Sequence, residues 1–280
     1  MVKFKRNPGG PGRVIDRRGA RSGLAVGAGG GGLALVVALL VMFFGGGGSD
    51  LGGLVDGLAP SAASQAEAPL DPTADPDADL VAFLGDVLAD SQAMWTDIFE
   101  RSDLDYRPTD LVVFSGATQS GCGGAYAQSG PHYCPTDGLV YLDIDFLRQL
   151  QARFGAVGDA AQAYIVAHEV AHHVQNELGI LADARNGGQD GAIALELQAD
   201  CFAGVWFSTL RTGTSAAVLE DGDIREALDA AAAVGDDSIQ RQTSGQVNPE
   251  TWTHGSSEQR FEWLKRGLDS GRPDACDTFS

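Results

Sequence analysis

The pentapeptide His168-Glu169-Val170-Ala171-His172 constrains this 280-residue chain more than any other feature. Histidines four positions apart are separated by about 400° of helical rotation, so both imidazoles leave nearly the same face and can reach one ion. Glu169 lies about 60° around the helix from His172, close enough to hydrogen-bond a water held there without displacing it. The segment therefore reads as a helix whose polar face needs a partner. His173 is turned well away from His168 and reads as a surface or outer-layer residue.

Two imidazoles leave a tetrahedral zinc one protein ligand short, because a hydrolytic site uses three and keeps the fourth position for water. Glu196 and Asp200, beginning 24 residues beyond His172, sit four apart on a second helical run. That run also carries Ile193, Leu197, Val205 and Trp206, so its acids need a cation or donors to offset burial. Glu196 is the expected third ligand, and Asp200 the acceptor that orients a ligand histidine through its other ring nitrogen. Asp200 ligating in place of Glu196 is the competing assignment. A purely structural pair of histidines with Glu169 as ion-pair partner is the bland one.

The surrounding pattern is α+β. Three- and four-residue apolar steps predict a helix over Leu80 to Arg101. Leu111 to Phe114 and Leu139 to Ile144 are short β-rich runs separated by a cysteine-containing loop. Helical patterns then cover Asp145 to Phe154, Ala160 to Leu178, Ala192 to Arg211, Ile224 to Val234 and Glu258 to Leu268. Ser256 and Gln259 have the spacing of a capping box before the last of these.

Leu24 to Phe44 holds no ionisable side chain, and its length as a helix is about 31 Å, one hydrocarbon core. Residues 1–22 carry seven basic residues and only Asp16 as an acid, whereas the whole chain has a net charge of -19. The acidic balance disfavours nucleic acid as a partner. The basic leader predicts a cytoplasmic tail (1–22), a transmembrane anchor (23–44), a Gly-, Ala-, Pro- and Asp-rich linker (45–79) and an extracytoplasmic domain (80–280). A cleaved signal peptide is the alternative. Arg17-Arg18 fits twin-arginine export poorly.

An exported domain lies in an oxidising compartment, where four cysteines suit two disulfides. The short gap between Cys122 and Cys134 favours closing that loop locally, leaving Cys201 to pair with Cys276. A buried Cys201 with Cys276 free is the other reading.

HEVAH followed by ELQAD resembles the thermolysin-like, Glu-ligand zinc peptidases. More closely, the chain resembles a family of bacterial neutral zinc metallopeptidases. That likeness runs through Asp16-Arg17-Arg18-Gly19, Tyr133-Cys134-Pro135, Tyr141-Leu142-Asp143, His168 to Gln175, Gln198 to Trp206, Thr253 to Arg260 and Cys276 to Phe279. It implies a zincin-like fold with a small sheet and an active-site helix pair, one catalytic zinc ion, and a membrane-attached peptidase acting on peptide or protein substrates.

In that reading Glu169 is the general base. His254, before the last helix, is the candidate donor to the oxyanion, by functional analogy with a downstream histidine of thermolysin-like enzymes. The alternative is a histidine that hydrogen-bonds the helix start. Tyr133 and Tyr141 are other candidate donors, and His132 reads as structural or exposed. The strand Leu139 to Ile144 is a candidate edge for pairing with an extended peptide. Rival functions are a zinc-stabilised scaffold at the cell envelope, a metallohydrolase of another amide or ester, and a membrane-tethered interaction protein.

Overall fold

The computed structural model describes residues 2–4, 10–18, 75–126, 130–154 and 158–279. The expected anchor at 23–44 and nearly all of the expected linker at 45–79 lie outside the described residues. Among the described residues, no helix is long and apolar enough to cross a membrane.

The architecture is α+β. Strands β1 (Lys3–Phe4) and β2 (Val14–Asp16) open the chain. Helix α1 (Ala78–Arg101) leads to β3 (Leu111–Phe114), the hairpin of β4 (Ala117–Ser120) and β5 (Gly123–Tyr126), then β6 (His132–Cys134) and β7 (Leu139–Asp143). Helices α2 (Ile144–Phe154), α3 (Asp159–Glu177), α4 (Ile180–Ala184) and α5 (Gly188–Thr212) follow. A short β8 (Ala217–Val218) precedes α6 (Asp223–Ala233), α7 (Asp236–Thr243) and α8 (Ser257–Ser270).

The main sheet has the order β2-β3-β7-β6, with β2, β3 and β7 parallel and β6 antiparallel. Successive side chains of a strand face opposite sides. Leu111, Val113, Val140 and Leu142 enter the main core beneath the helices. Val112, Phe114 and Tyr141 face the other way and form a smaller core with Cys134 and Ala125, the latter from the hairpin. The Cys122–Cys134 disulfide fastens that hairpin to the sheet. Because β7 lies between β3 and β6, it is not an edge, and the expected strand addition along it is excluded by the pairing it already has.

Residues 10–18 correct the expected domain boundaries. They do not stand apart as a tail: β2 pairs in register with β3, and Leu111 N donates to Arg13 O while Arg17 N donates to Val113 O. Arg13 also binds the Asp110 carboxylate with its backbone and guanidinium, at 2.9 and 2.8 Å. Arg18 reaches Asp75, 57 residues later, through a partly buried contact of 3.0 Å. Several of the basic residues that suggested a cytoplasmic leader are thus spent on acids of the folded domain.

Helix α3 is buried on nearly all sides, as its run of Ala, Val and Ile requires. It packs among α1, α5 and α6. Helix α8 lies very close to α5, and glycine makes the approach possible. A Cβ on Gly267 would come within 1.8 Å of the Cys201 carbonyl oxygen, and one on Gly204 within 2.1 Å of that of Leu264. The Ser256–Gln259 capping box fixes the start of α8. Past its end, the Cys201–Cys276 disulfide ties the C-terminal turn back to α5.

Candidate metal centre

Helices α3 and α5 bring His168, His172 and Glu196 together. One ligand atom from each lies within 4.8 Å of the others. His168 Nε2 stands 3.1 Å from Glu196 Oε2, and His172 Nε2 stands 3.4 Å from Glu196 Oε1. The side chains of His172 and Glu196 keep 13% and 18% exposure, so the cluster is open to solvent on one side rather than sealed. Glu169 is buried on the same helix.

Asp200 lies one turn beyond Glu196, fully buried, with Oδ1 2.9 Å from His168 Nδ1. The arrangement has Glu196 facing both imidazoles and Asp200 behind one of them. Burial would lower the His168 imidazole, but Asp200 and then Glu196 outweigh it and push it up to about 10. Burial would likewise raise Glu196, and the histidines hold it well below the ordinary range. Both shifts say that the cradle favours positive charge between His168 and Glu196. Two imidazoles and a carboxylate are also the donor types that zinc takes. The residues therefore fit a zinc ion.

The second histidine has an orienting chain that the sequence reading missed. His172 Nδ1 lies 2.8 Å from Gln175 Oε1. Gln175 Nε2 in turn donates to Leu195 O at 2.7 Å and to Gln198 Oε1 at 3.1 Å. Gln175 stands three residues after His172, a spacing that places both on one helix face and could have signalled it. Tyr164, four before His168, donates its hydroxyl to Asp200 Oδ1 at 2.5 Å and was open to the same inference.

His254 lies in the loop before α8, within electrostatic reach of Glu196. Its Nδ1 is 3.1 Å from Asp236 Oδ1. Asp236 Oδ2 accepts the backbone N–H groups of Thr253, His254 and Gly255, so a residue at the start of α7 holds both the loop and the ring. Asp236 was not visible in the sequence because α7 was not expected and the contact spans 18 residues.

The other candidates are engaged elsewhere. Tyr141 donates to Asp137 Oδ2 at 2.7 Å in the smaller core. The Tyr133 hydroxyl meets His173 Nδ1 and Asn176 Nδ2. His132 stacks on Tyr141 with ring centroids 5.2 Å apart. His173 is buried rather than at the surface: its Nε2 donates to Arg107 O at 2.6 Å, an internal partner that replaces water. A second group of acids, Asp159, Asp223 and Glu226, also brings oxygens within 4.8 Å, but it offers oxygen donors alone and lacks imidazole.

Comparison with known proteins places the chain in a family. A family described as "Putative neutral zinc metallopeptidase" matches residues 3–279. The uncharacterized protein YpfJ of Escherichia coli K12 is 45% identical over 205 residues, 70% of each chain. The uncharacterized protein Rv2575 of Mycobacterium tuberculosis H37Rv is 49% identical over 186 residues, 62% of this chain and 64% of its own length. No solved structure matches the chain significantly.

Proposed function

We propose that this chain, which belongs to the neutral zinc metallopeptidase family, hydrolyses peptide bonds in peptide or protein substrates on a zincin-type helix pair. The observation that carries the reading is the convergence of His168, His172 and Glu196, with the cluster open on one side.

His168 and His172 would hold the zinc ion through Nε2, their Nδ1 atoms being committed to Asp200 and Gln175. Glu196 would supply the third ligand. When bound, zinc supplies Lewis acidity, polarising a carbonyl and bringing a water to ionise near neutral pH. Glu169 takes the proton of the attacking water and returns it to the departing amine. Asp236 accepts the Nδ1 proton of His254, so His254 would offer an Nε2 proton to the oxygen on which negative charge develops as an imidazolium, the form that Asp236 and Glu196 favour.

The two disulfides support a location outside the cytoplasm, and the apolar run within 24–44 supports attachment to the membrane. The pairing of β2 with β3 favours an N-terminus on the same side as the metal centre, in place of a cytoplasmic one.

The test uses the full chain. Zinc content is measured alongside cleavage of an unfolded protein by the wild type and Glu169→Gln. One equivalent of zinc in both, with cleavage by the wild type only, is the expected result. Zinc without any difference in cleavage would leave a metal-stabilised scaffold.

A further inference from the structure

We propose that Arg260 is a positioning residue for the metal centre: its guanidinium fixes Asp200, and through Asp200 it sets the ring of His168. The proposal rests on the reading that His168, His172 and Glu196 hold zinc.

Arg260 lies in the first turn of α8 and is 4% exposed. Its Nε donates to Asp200 Oδ2 at 2.8 Å and its Nη2 to Asp200 Oδ1 at 3.0 Å. Both carboxylate oxygens are thereby held by one planar fork, which removes rotation that a single contact would allow. Nη1 donates to Val234 O at 3.2 Å, a carbonyl past the end of α6 that fixes the other side of the guanidinium. Nη2 also accompanies the Tyr164 hydroxyl, at 3.1 Å, so Asp200, Tyr164 and Arg260 form one closed set.

What that set leaves to Asp200 Oδ1 is the contact with His168 Nδ1. A hydrogen bond there commits the Nδ1 proton and aims Nε2 at the metal position. Arg260 Nη2 stands 3.4 Å from His168 Nε2 and 3.8 Å from Glu196 Oε2, so the guanidinium borders the ring that it positions. The carboxylates of Glu196 and Asp200 thus both lie beside the one guanidinium, at 3.8 and 2.8 Å. Lysine would restore the charge but not the fork.

The experiment is zinc affinity by competition with a chelator in the full chain, with folding checked by thermal unfolding. Arg260→Gln is expected to weaken zinc binding about 10- to 100-fold, the usual effect of losing an outer-layer partner. Arg260→Lys is expected to recover part of it. In an Asp200→Asn background, Arg260→Gln is expected to add less than about twofold, because the group through which it acts is already neutral. This neutral pair also answers the case in which Arg260→Gln alone leaves Asp200 buried and unpaired and does not fold. Wild-type zinc affinity in folded Arg260→Gln would overturn the proposal, as would a full additional loss in the Asp200→Asn background. Reduced cleavage with unchanged zinc affinity would also overturn it by assigning Arg260 to the reacting atoms. A wild type that binds no zinc would sink the metal reading itself, a result distinct from any of these.

Discussion

Gln198 donates its amide N–H to the backbone carbonyl of Cys276, 78 residues further along the chain, at 3.0 Å. Gln198 accepts from Gln175, which meets His172. Only two side chains therefore separate the C-terminal turn from a candidate zinc ligand. Cys276 is also bonded to Cys201, the residue after Asp200, so that turn braces the arms of both histidines.

Removing the Cys201–Cys276 disulfide should accordingly weaken the metal centre as well as the fold. The bridge spans 75 residues, and its loss is expected to cost roughly 2–5 kcal/mol of stability. Thermal unfolding of Cys201→Ala/Cys276→Ala measures the first effect and chelator competition the second. Zinc binding as tight as in the wild type would disconnect the turn from the histidines.

Gln175 offers a cleaner probe of the His172 arm, since it touches the ring directly. Gln175→Leu is expected to reduce zinc affinity about 10- to 100-fold. Gln175→Glu retains an acceptor at that position and should retain more of the affinity. Equal losses in both variants would show that the acceptor is not what matters.

The parts of this site legible in the sequence are those set by helical spacing. His168, His172, Glu196 and Asp200 follow from four-residue intervals, and each pair does share a helix face. What spacing alone could not supply was the long-range partners. Asp236 and Arg260 reach the site from α7 and α8 across contacts of 18 and 60 residues. Arg260 did leave a trace, because a cation in the first turn of a helix runs against the helix dipole and implies an acid nearby. In the fold, the longer helices were readable from apolar periodicity, whereas the short α4 and α7 were not. The role of β2 was not, because three residues beside a basic leader carry no strand signal until β3 pairs with them.

The His254–Asp236 pair predicts a pH window. Burial would lower the His254 imidazole, but the hydrogen bond to Asp236 and the charge of Glu196 raise it. Its contribution to stability is therefore complete below about 6.5 and lost as pH rises through the raised folded value. Burial would raise Asp236, whereas His254 and the backbone N–H groups hold it below the ordinary range. That contribution is present above about 3.9 and lost as pH falls through the depressed value. The stability difference between wild type and Asp236→Asn should thus be largest between the two. An NMR titration should show His254 lower in Asp236→Asn, and lower in the wild type once zinc offsets Glu196. An unmoved His254 in Asp236→Asn would remove Asp236 as its partner.

Gly267 tests the contact between α5 and α8. Its added Cβ would fall 1.8 Å from the Cys201 carbonyl oxygen, which is backbone and cannot turn aside. Gly267→Ala is expected to cost about 3 kcal/mol or more, read from denaturant midpoints. Because α8 carries Arg260, zinc affinity should fall with it. A folded variant of unchanged stability would mean that the helices can separate freely.

Arg18 and Asp75 lie at the two ends of the stretch that contains the apolar segment, and they meet in a partly buried ion pair flanked by Asp16 and Asp77. Strand β2 sits before that stretch and β3 after it, hydrogen-bonded as neighbours. Paired strands cannot lie on opposite faces of a bilayer, so residues 14–16 and 111–114 share one side of any membrane that the chain meets. A single crossing would separate them. The prediction is that a cysteine introduced at Lys3, which is exposed, and one introduced at Arg225 in the domain react equally with an impermeant thiol reagent on intact cells. Arg18→Ala should leave an acid-rich cluster unbalanced and destabilise the domain, most visibly at low salt. Labelling at position 225 but not at 3 would place the strands on opposite sides and require β2 to be absent from the sheet of the membrane-bound protein.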